Sequence, residues 1–266
     1  MTDHAQLASF YDDAYTQGPA DAEVYARWRA LGAIGKADHV TGLCARAGLA
    51  PASTLEVGCG DGALLCELRR RGFGGRLSGV EITAAAVAIA RERPQIDAVA
   101  LYDGTHLPDD DDAHELGILS HVLEHVPDPS ALLAEVARAC CAVVVEVPLE
   151  ANVSARRSAK REHAAEVGHL QRLDRAAAHE IVERAGLEIA CELEDALPLS
   201  VQRFFAGTPA ARTRASAKWA LRAGLHRVAP SLARRLFTVH YACLCIPRAD
   251  VEHAVRSTTT GGAPAA

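Results

Sequence analysis

Short apolar runs alternate with helical patterns through the middle of the chain. Five of these runs are typical of buried strands and lie at 54–58, 77–81, 98–102, 115–119 and 142–147. Strands that alternate with helices indicate βαβ units, and hence a parallel sheet whose ligands bind at the carboxyl ends of its strands. Two later runs, at 187–192 and 239–246, predict a sixth and a seventh strand. The pattern therefore predicts an α/β fold.

The segments on either side of these runs have a different character. The first fifty residues show helical patterning and carry five of the twelve aromatic residues, which either pack on the sheet or form a lid over a ligand: Phe10, Tyr11, Tyr15, Tyr25 and Trp28. A basic, helical connection of about forty residues, far longer than most loops, separates the last two strands. We predict a helical lid (1–50), a core (51–196), a helical insertion that caps the substrate (197–237), the last core strand (238–256) and a flexible tail (257–266).

The first predicted strand runs directly into a glycine-rich turn with the sequence EVGCGDG at 56–62. Glycine lacks the Cβ atom that would keep a ligand from the backbone, and it allows positive φ where the chain reverses. A helix that follows such a turn directs its first N–H groups at the ligand. Glu81 ends the second strand, where the ribose of a nucleotide needs a hydrogen-bond acceptor. The sequence therefore predicts a nucleotide-binding turn.

Spacing alone does not identify the nucleotide. Gly58, Gly60 and Ala63 also satisfy the glycine pattern of dinucleotide sites, so NAD stays open as a ligand. Glu56 favours a different cofactor, because a carboxylate at this position can hold the ammonium group of a ligand that carries an amino acid. The run DGT at 103–105 follows the third strand and offers a carboxylate and a backbone N–H to an adenine edge.

Five motifs, taken in order, resemble those of a known family. The chain is similar to class I S-adenosylmethionine (SAM) methyltransferases, in the small-molecule branch that includes ubiquinone-biosynthesis O-methyltransferases, in EVGCGDG, VEI, DGTHLP, SHVLEHVPDP and VVVEVP. The resemblance implies a Rossmann-like, seven-stranded, mostly parallel sheet with helices on both faces and an antiparallel last strand. It implies SAM as the cofactor and a small molecule as the acceptor, with a hydroxyl of a secondary-metabolite or sugar-type intermediate as the leading expectation.

The same resemblance assigns cofactor contacts to individual residues. They are Glu56, Gly58, Cys59 and Gly60 for the methionine part, Glu81 for the ribose, Ile82, Asp103 and Gly104 for the adenine, and Ser120 at the end of the fourth strand.

Histidines near the ends of the fourth and fifth strands are the candidate catalytic residues. Methyl transfer from a sulfonium is an in-line displacement, so the protein aligns donor and acceptor and removes a proton where the acceptor is a hydroxyl. His121 directly follows the fourth strand, whose carboxyl edge faces the methyl group, and is the first candidate for the base. His169 and His163, after the fifth strand, are the second and third candidates. This reaction needs no metal.

Two alternatives to methyl transfer stay open. An NAD(P)-dependent oxidoreductase would use the same glycine-rich turn, although the sequence after the fifth strand has no Tyr-x-x-x-Lys arrangement for hydride transfer. A non-catalytic scaffold would be expected to lose cofactor-binding residues, and none of the matched positions is lost. The sequence therefore favours a working enzyme, while the acceptor atom (oxygen, nitrogen, carbon or sulfur) stays open.

Composition and charge exclude several other functions. With a net charge of −6 and an isoelectric point near 6.1, the chain lacks the basic surplus of a nucleic-acid-binding protein. No apolar run could span a bilayer and the first residues do not read as a signal peptide, so we expect a cytoplasmic protein without membrane contact. The eight cysteines lack the paired spacing of a zinc site. The sequence does not distinguish a monomer from a homodimer.

Overall fold

A computed structural model describes residues 19–158 and 168–248, together with Tyr15, Glu162 and Ala164. The strands are β1 (Ser53–Val57), β2 (Arg76–Glu81), β3 (Ala98–Leu101), β4 (His114–Ser120), β5 (Cys140–Leu149), β6 (Leu187–Asp195) and β7 (Val239–Pro247). The helices are α1 (Pro19–Ala47), α2 (Ala63–Arg70), α3 (Ala84–Arg91), α4 (Pro129–Ala139), α5 (Arg175–Arg184), α6 (Leu199–Arg203), α7 (Pro209–Val228) and α8 (Pro230–Leu236). Short 3₁₀ turns lie at Leu123–His125 and Val153–Arg156.

The seven strands form one sheet in the order β3-β2-β1-β4-β5-β7-β6. Strand β7 runs antiparallel to both of its neighbours, and the pairs from β3 through to β5 are parallel. The predicted Rossmann-like sheet with an antiparallel last strand is therefore confirmed. Because β7 runs opposite to β5, its amino end meets the carboxyl ends of β4 and β5 at one edge, where His240 pairs with Pro148.

Side chains alternate between the two faces of the sheet, and each face buries its own apolar cluster. On β1, Leu55 and Val57 belong to the cluster that α4 and α5 cover. Glu56 lies between them in the sequence and points to the opposite face, because successive side chains of a strand point to opposite sides. That opposite face packs on α1 and α2, so the alternation buries a carboxylate under these helices at the end of β1.

Two helices that flank the site begin at aspartate caps. Asp128 accepts a hydrogen bond from the Ala131 N–H at 3.0 Å, and Asp174 accepts one from the Ala177 N–H at 2.9 Å. Each bond satisfies an N–H that has no partner within the helix. The cap predicted at Asp174 is present, and the Asp128 cap fixes where α4 leaves the β4 edge of the sheet.

Helices α6 to α8 fill the connection between β6 and β7. A proline stands directly before or at the start of each helix, at Pro198, Pro209 and Pro230. The segment packs against α1, because the Phe205 ring lies 6.3 Å from the ring centroids of both Tyr25 and Trp28. The roles predicted for these segments, a cap at 197–237 and a lid at 1–50, stay predictions.

Several predictions fall on residues outside the described ranges. They are the N-terminal aromatics Phe10 and Tyr11, the histidine His163, and the tail 257–266. Among the helices of 19–158 and 168–248, none has both the length and the apolar character needed to cross a bilayer.

Candidate functional site

The glycine-rich turn joins β1 to α2 in the conformation that its glycines allow. Gly58, Gly60 and Gly62 have φ values of 73°, 54° and 74°, a region that side chains with a Cβ rarely adopt. The N–H groups of Gly58 and Cys59 donate to the Val80 carbonyl at 2.9 and 3.1 Å, which fixes the turn to β2. Cys59 is buried, and its side chain belongs to the core cluster under α1 and α2. Its predicted contact with a cofactor could therefore involve only its backbone.

Glu81 closes the turn from the end of β2. Its carboxylate accepts the N–H groups of Gly60 at 2.9 Å, Ile82 at 2.6 Å and Thr83 at 3.2 Å. Burial raises the pKa of Glu81, and these three N–H donors oppose the increase. A carboxylate offers about four acceptor positions, so one stays available to a ribose hydroxyl. The ribose role of Glu81 and the adenine contact of Ile82 stay predictions that this geometry permits.

Glu56 is a buried carboxyl group close beneath the turn. Its side chain is 4% exposed, and Oε2 has no hydrogen-bond partner among the described residues. Burial raises the pKa of Glu56 to about 8; the positive charge of Lys36 opposes the increase, and the carboxylates of Asp61 and Glu81 add to it. An uncompensated buried carboxyl of this kind gains most from a cationic ligand. The ammonium group of an amino-acid-bearing cofactor would supply that charge.

An ion-pair cluster covers the other side of the turn. The buried carboxylate of Asp61 lies 3.0 Å from Arg29 Nε and 3.0 Å from Arg93 Nη2. The guanidinium of Arg29 also lies 4.8 Å from the ring centroid of Tyr15. The Tyr15 hydroxyl stands above Gly60, where a Cβ would come within 2.6 Å of it. A residue of the predicted lid therefore lies directly over the turn.

Asp103 and Gly104 form an exposed loop after β3. Asp103 Oδ1 accepts three hydrogen bonds of 2.7 Å, from the N–H and hydroxyl of Thr105 and from the N–H of His106. These bonds hold the pKa of Asp103 well below its usual range. Gly104 has a φ of 86°, which the tight loop requires. One carboxylate oxygen thus stabilises the loop itself, and the predicted adenine contact stays a prediction.

The buried carboxylate of Glu146, on β5, lies close to four polar side chains at the carboxyl edge of the sheet. The Ser120 hydroxyl donates to Glu146 Oε2 at 2.9 Å, and His39 Nδ1 lies 3.1 Å from Oε1. His121 Nε2 and His240 Nδ1 each lie 3.6 Å from the same Oε1. Burial opposes ionisation of Glu146, but the three adjacent histidines hold its pKa well below the usual range. The carboxylate is therefore ionised.

The three imidazoles around Glu146 differ in charge. Burial lowers the pKa of His39, but bonds to Asp195 and Glu146 outweigh it and raise that pKa to about 10. His39 is therefore cationic at neutral pH. Burial lowers the pKa of His240. For His121, burial and the charge of Lys36 lower the pKa, while Glu124 and Glu146 raise it by more.

His121 has an unusual backbone and both of its ring nitrogens are engaged. Its φ of 59° is rare for a residue with a Cβ, and strain of this kind concentrates at functional sites. The N–H of His121 donates to the Glu146 carbonyl at 2.9 Å. In the ring, Nδ1 lies 3.0 Å from Glu124 Oε1 and Nε2 lies 3.2 Å from His240 Nδ1. His121 is therefore part of a side-chain cluster and not an isolated imidazole, and its role as a base stays a prediction.

The second histidine candidate lies on the same rim. His169 Nδ1 is 2.7 Å from Glu150 Oε2, and its ring centroid is 4.7 Å from that of His125. Glu124 links the two groups, because Oε1 is 3.0 Å from His121 Nδ1 and 3.9 Å from His125 Nε2. The structure thus brings His121 and His169 to one edge, as the sheet topology predicts.

Four members of this edge were not predicted from the sequence: His39, Glu124, Glu146 and His240. Glu146 carried a usable signal, since it is a lone carboxylate within the apolar run VVVEV. Glu124 lies within the motif SHVLEHVPDP, one of the five that resemble the methyltransferase motifs. Histidines at 39 and 240 carried no local signal, because they reach the edge only through the packing of α1 and the antiparallel return of β7.

Comparisons with known proteins agree on one family. A family model described as a methyltransferase domain matches residues 28–192. The ubiquinone biosynthesis O-methyltransferase of Pseudomonas paraeruginosa is 31% identical over 144 residues, which are 52% of this chain and 57% of the relative. The chain thus spans little more than half the length of this curated relative.

Solved structures of low sequence identity share the fold. Geranyl diphosphate C-methyltransferase from Streptomyces coelicolor A3(2), solved with S-adenosyl-L-homocysteine, aligns with a TM-score of 0.57 at 16% identity, over 80% of this chain and 76% of that chain. Phosphoethanolamine N-methyltransferase 2 from Haemonchus contortus, solved with SAM, aligns with a TM-score of 0.51 at 13% identity, over 73% of this chain and 48% of that chain. At these identities the likeness concerns the fold alone.

Proposed function

Because the chain belongs to the methyltransferase-domain family of class I SAM-dependent enzymes, we propose that it transfers the methyl group of SAM to a hydroxyl of a small-molecule acceptor. Membership of this family identifies the cofactor as SAM, a choice that the glycine spacing alone left open between SAM and NAD. The acceptor is the new element of the proposal. A secondary-metabolite or sugar-type hydroxyl is the chemical class that we favour.

One observation carries this proposal: the cluster of His121, Glu146 and His240 at the end of β4 and β5. The sulfonium methyl of a cofactor seated on the glycine turn faces this edge of a Rossmann-like sheet. A hydroxyl acceptor must lose its proton as it attacks, and a neutral imidazole at this edge, such as His240, whose pKa is lowered by burial, can accept that proton. Amine acceptors that shed their proton to water would have less need of such groups.

The cofactor half of the site is the part between β1 and β3. In this proposal Glu56 holds the methionine ammonium and the backbone of Gly58, Cys59 and Gly60 approaches the amino-acid part. Glu81 binds the ribose, and the remaining predicted contacts line the adenine and the sulfonium: Ile82, Asp103, Gly104 and Ser120. His169 is the second proposed proton-handling residue, and His163, outside the described residues, is the third.

The acceptor pocket in this proposal lies between α1 and the start of the insertion. Two contacts support this location. A Cβ on Gly35 of α1 would lie 3.2 Å from the Pro198 side chain, and His39 Nε2 lies 3.1 Å from Asp195 Oδ2 at the end of β6. The first residues of the insertion thus lie beside the histidine cluster, and Phe205 extends the same surface toward Trp28.

A thermal-melting experiment tests the cofactor assignment, and label transfer tests the acceptor class. A ligand at a hundred times its dissociation constant adds ~2.7 kcal/mol of stability, so SAM should raise the melting temperature and NADH should not. Methyl-labelled SAM should then transfer label to members of a panel of hydroxyl compounds. Label transfer to amines or thiols but to no hydroxyl would contradict the proposed acceptor, and stabilisation by NADH alone would contradict the cofactor.

A further inference from the structure

Three ligand-type atoms at the carboxyl edge have the mutual spacing of ligands around one metal ion. His121 Nε2 lies 3.2 Å from His240 Nδ1, and both atoms lie 3.6 Å from Glu146 Oε1. Ligands that bind zinc tetrahedrally at about 2.0–2.1 Å are about 3.4 Å from one another. We propose that His121, His240 and Glu146 form a binding site for a divalent transition-metal ion of the zinc type.

The groups behind these atoms orient them as supporting groups do in metal sites. A histidine that binds metal commonly donates its other N–H to a carboxylate, and His121 Nδ1 lies 3.0 Å from Glu124 Oε1. The second oxygen of Glu146 accepts the Ser120 hydroxyl at 2.9 Å, which fixes the carboxylate plane. The other oxygen, Oε1, lies 3.1 Å from His39 Nδ1 and faces the imidazoles of His121 and His240.

The ligand set also indicates a catalytic and not a structural ion. Structural zinc is closed by four protein ligands, whereas catalytic zinc has three and leaves a position for water or substrate. Here the three come from the residue after β4, from β5 and from the start of β7, all at the sheet edge that binds the ligand. Two imidazoles with one carboxylate suit zinc or iron better than magnesium, which prefers oxygen.

The role of this ion rests on the proposed function. An acceptor hydroxyl bound at the open position has its pKa lowered by the metal. Its O–H bond breaks and the proton passes to solvent. The acceptor oxygen then forms a bond to the methyl carbon as the S–CH₃ bond breaks, and the electron pair of that bond returns to sulfur, leaving S-adenosylhomocysteine. This proposal departs from the metal-free reaction expected from the sequence. His121 and His240 lie 119 residues apart, so the sequence alone does not show that their ring nitrogens meet.

Metal binding can be measured without cofactor or acceptor. The full chain, stripped with a chelator, is titrated with ZnCl₂ by calorimetry, and CoCl₂ is added in parallel to record the visible spectrum. We expect one ion per chain and the absorption of tetrahedral cobalt. His240→Gln should lower zinc affinity by more than about 100-fold, and the matched variant His226→Gln, on α7 beside Glu194, should leave it within a few-fold. The cobalt spectrum of the wild-type protein tests the site even if a variant fails to fold.

The outcomes separate this inference from the proposed function. If the chain binds no zinc or cobalt, or if His240→Gln binds zinc as the wild type does, the site is wrong. Loss of binding in His125→Gln together with full binding in His240→Gln would move the ion to Glu124, His125 and His169 and overturn the assignment. If the chelated enzyme methylates a hydroxyl at full rate, the metal role fails and the proposed function stands. Zinc binding without any methyl transfer would leave the site standing and contradict the proposed function.

Discussion

Substitution of Glu56 by glutamine should stabilise the ligand-free protein and weaken SAM binding at the same time. Burial raises the pKa of Glu56 to about 8 from the 4.5 of an exposed glutamate. Between these two values the folded protein holds a proton that the unfolded chain has released. The free energy of unfolding therefore falls as pH rises through this range, and the stability is fully present only below about pH 4.5.

The destabilisation caused by the buried Glu56 carboxyl depends on how far the pH lies above 4.5. One pKa unit corresponds to ~1.4 kcal/mol, so at pH 7, which is about 2.5 units above 4.5, the buried carboxyl destabilises the fold by about 3 kcal/mol. Glutamine has nearly the same shape and does not titrate. The stability difference between Glu56→Gln and the wild type should therefore grow by ~2.7 kcal/mol from pH 5.5 to pH 7.5.

Urea unfolding at pH 5.5, 6.5 and 7.5, followed by tryptophan fluorescence, measures this difference. The slope with pH is the diagnostic quantity, because a buried amide changes the absolute stability by an amount that does not titrate. Glu188→Gln, at an exposed glutamate of β6, is the matched control and should show a pH-independent difference. A Glu56→Gln protein whose stability parallels the wild type over this range would refute the buried, protonated carboxyl.

The ligand-binding consequence is measured on the same two proteins. If Glu56 holds the methionine ammonium, SAM binding ionises it and releases about one proton at pH 7. Calorimetry in two buffers of different ionisation enthalpy counts that proton. Glu56→Gln should release none and bind SAM more weakly. Equal proton release by both proteins would remove Glu56 from the cofactor site.

Four further variants test other parts of the site and its frame. Glu81→Ala should lower SAM affinity by about one to two decades, since a charged hydrogen bond is worth roughly 1.5–3 kcal/mol; unchanged affinity by calorimetry would contradict the ribose role. Gly60→Ala should destabilise the turn by about 1 kcal/mol or more in urea unfolding, because a Cβ there would lie 2.6 Å from the Tyr15 hydroxyl at a φ of 54°. Asp174→Ala should lower the stability by ~1 kcal/mol through loss of the α5 cap, and a neutral result would contradict the cap. His121→Ala should lower turnover of a hydroxyl acceptor by roughly a hundredfold with SAM still bound, and near wild-type turnover would remove it from the catalytic edge.

The turn and the strand ends that carry the predicted cofactor contacts could be located from the sequence because they are local in the chain. The turn at 56–62 and Glu81 lie within one βαβ unit, and Glu81 accepts the Gly60 N–H across only 21 residues. Apolar runs located the strands to within a few residues, since a buried strand is a short, mostly apolar stretch. The direction of the Cys59 side chain could not be predicted from the sequence, because it depends on which side of the turn packs against the core.

The histidine cluster at the carboxyl edge was only partly predictable, because packing over long sequence distances assembles it. His39 Nδ1 meets Glu146 Oε1 across 107 residues, and His121 meets His240 across 119. The antiparallel β7 was expected, but the register that pairs His240 with Pro148 is set by inter-strand packing and not by local pattern. The sequence therefore predicted His121, His169 and His163 as separate candidates, and not the cluster that His121 forms with Glu146 and His240.

Two buried carboxyl groups, one in each half of the site, interrupt the apolar pattern of the sheet. Glu56 lies between Leu55 and Val57, and Glu146 lies within a run of valines, so an apolar residue would satisfy either strand. Burying such a charge stabilises a fold only weakly even when it is paired. Glu146 is compensated by three histidines and a hydroxyl within the protein, whereas Glu56 keeps an oxygen without a partner among the described residues. The Glu56 carboxyl, which burial keeps protonated, can ionise when a cationic ligand binds beside it, and the Glu146 carboxylate, which the imidazoles keep ionised, can bind a cation. The positions where the sheet departs from its own apolar pattern are thus the two places where we expect the cofactor and the acceptor to bind.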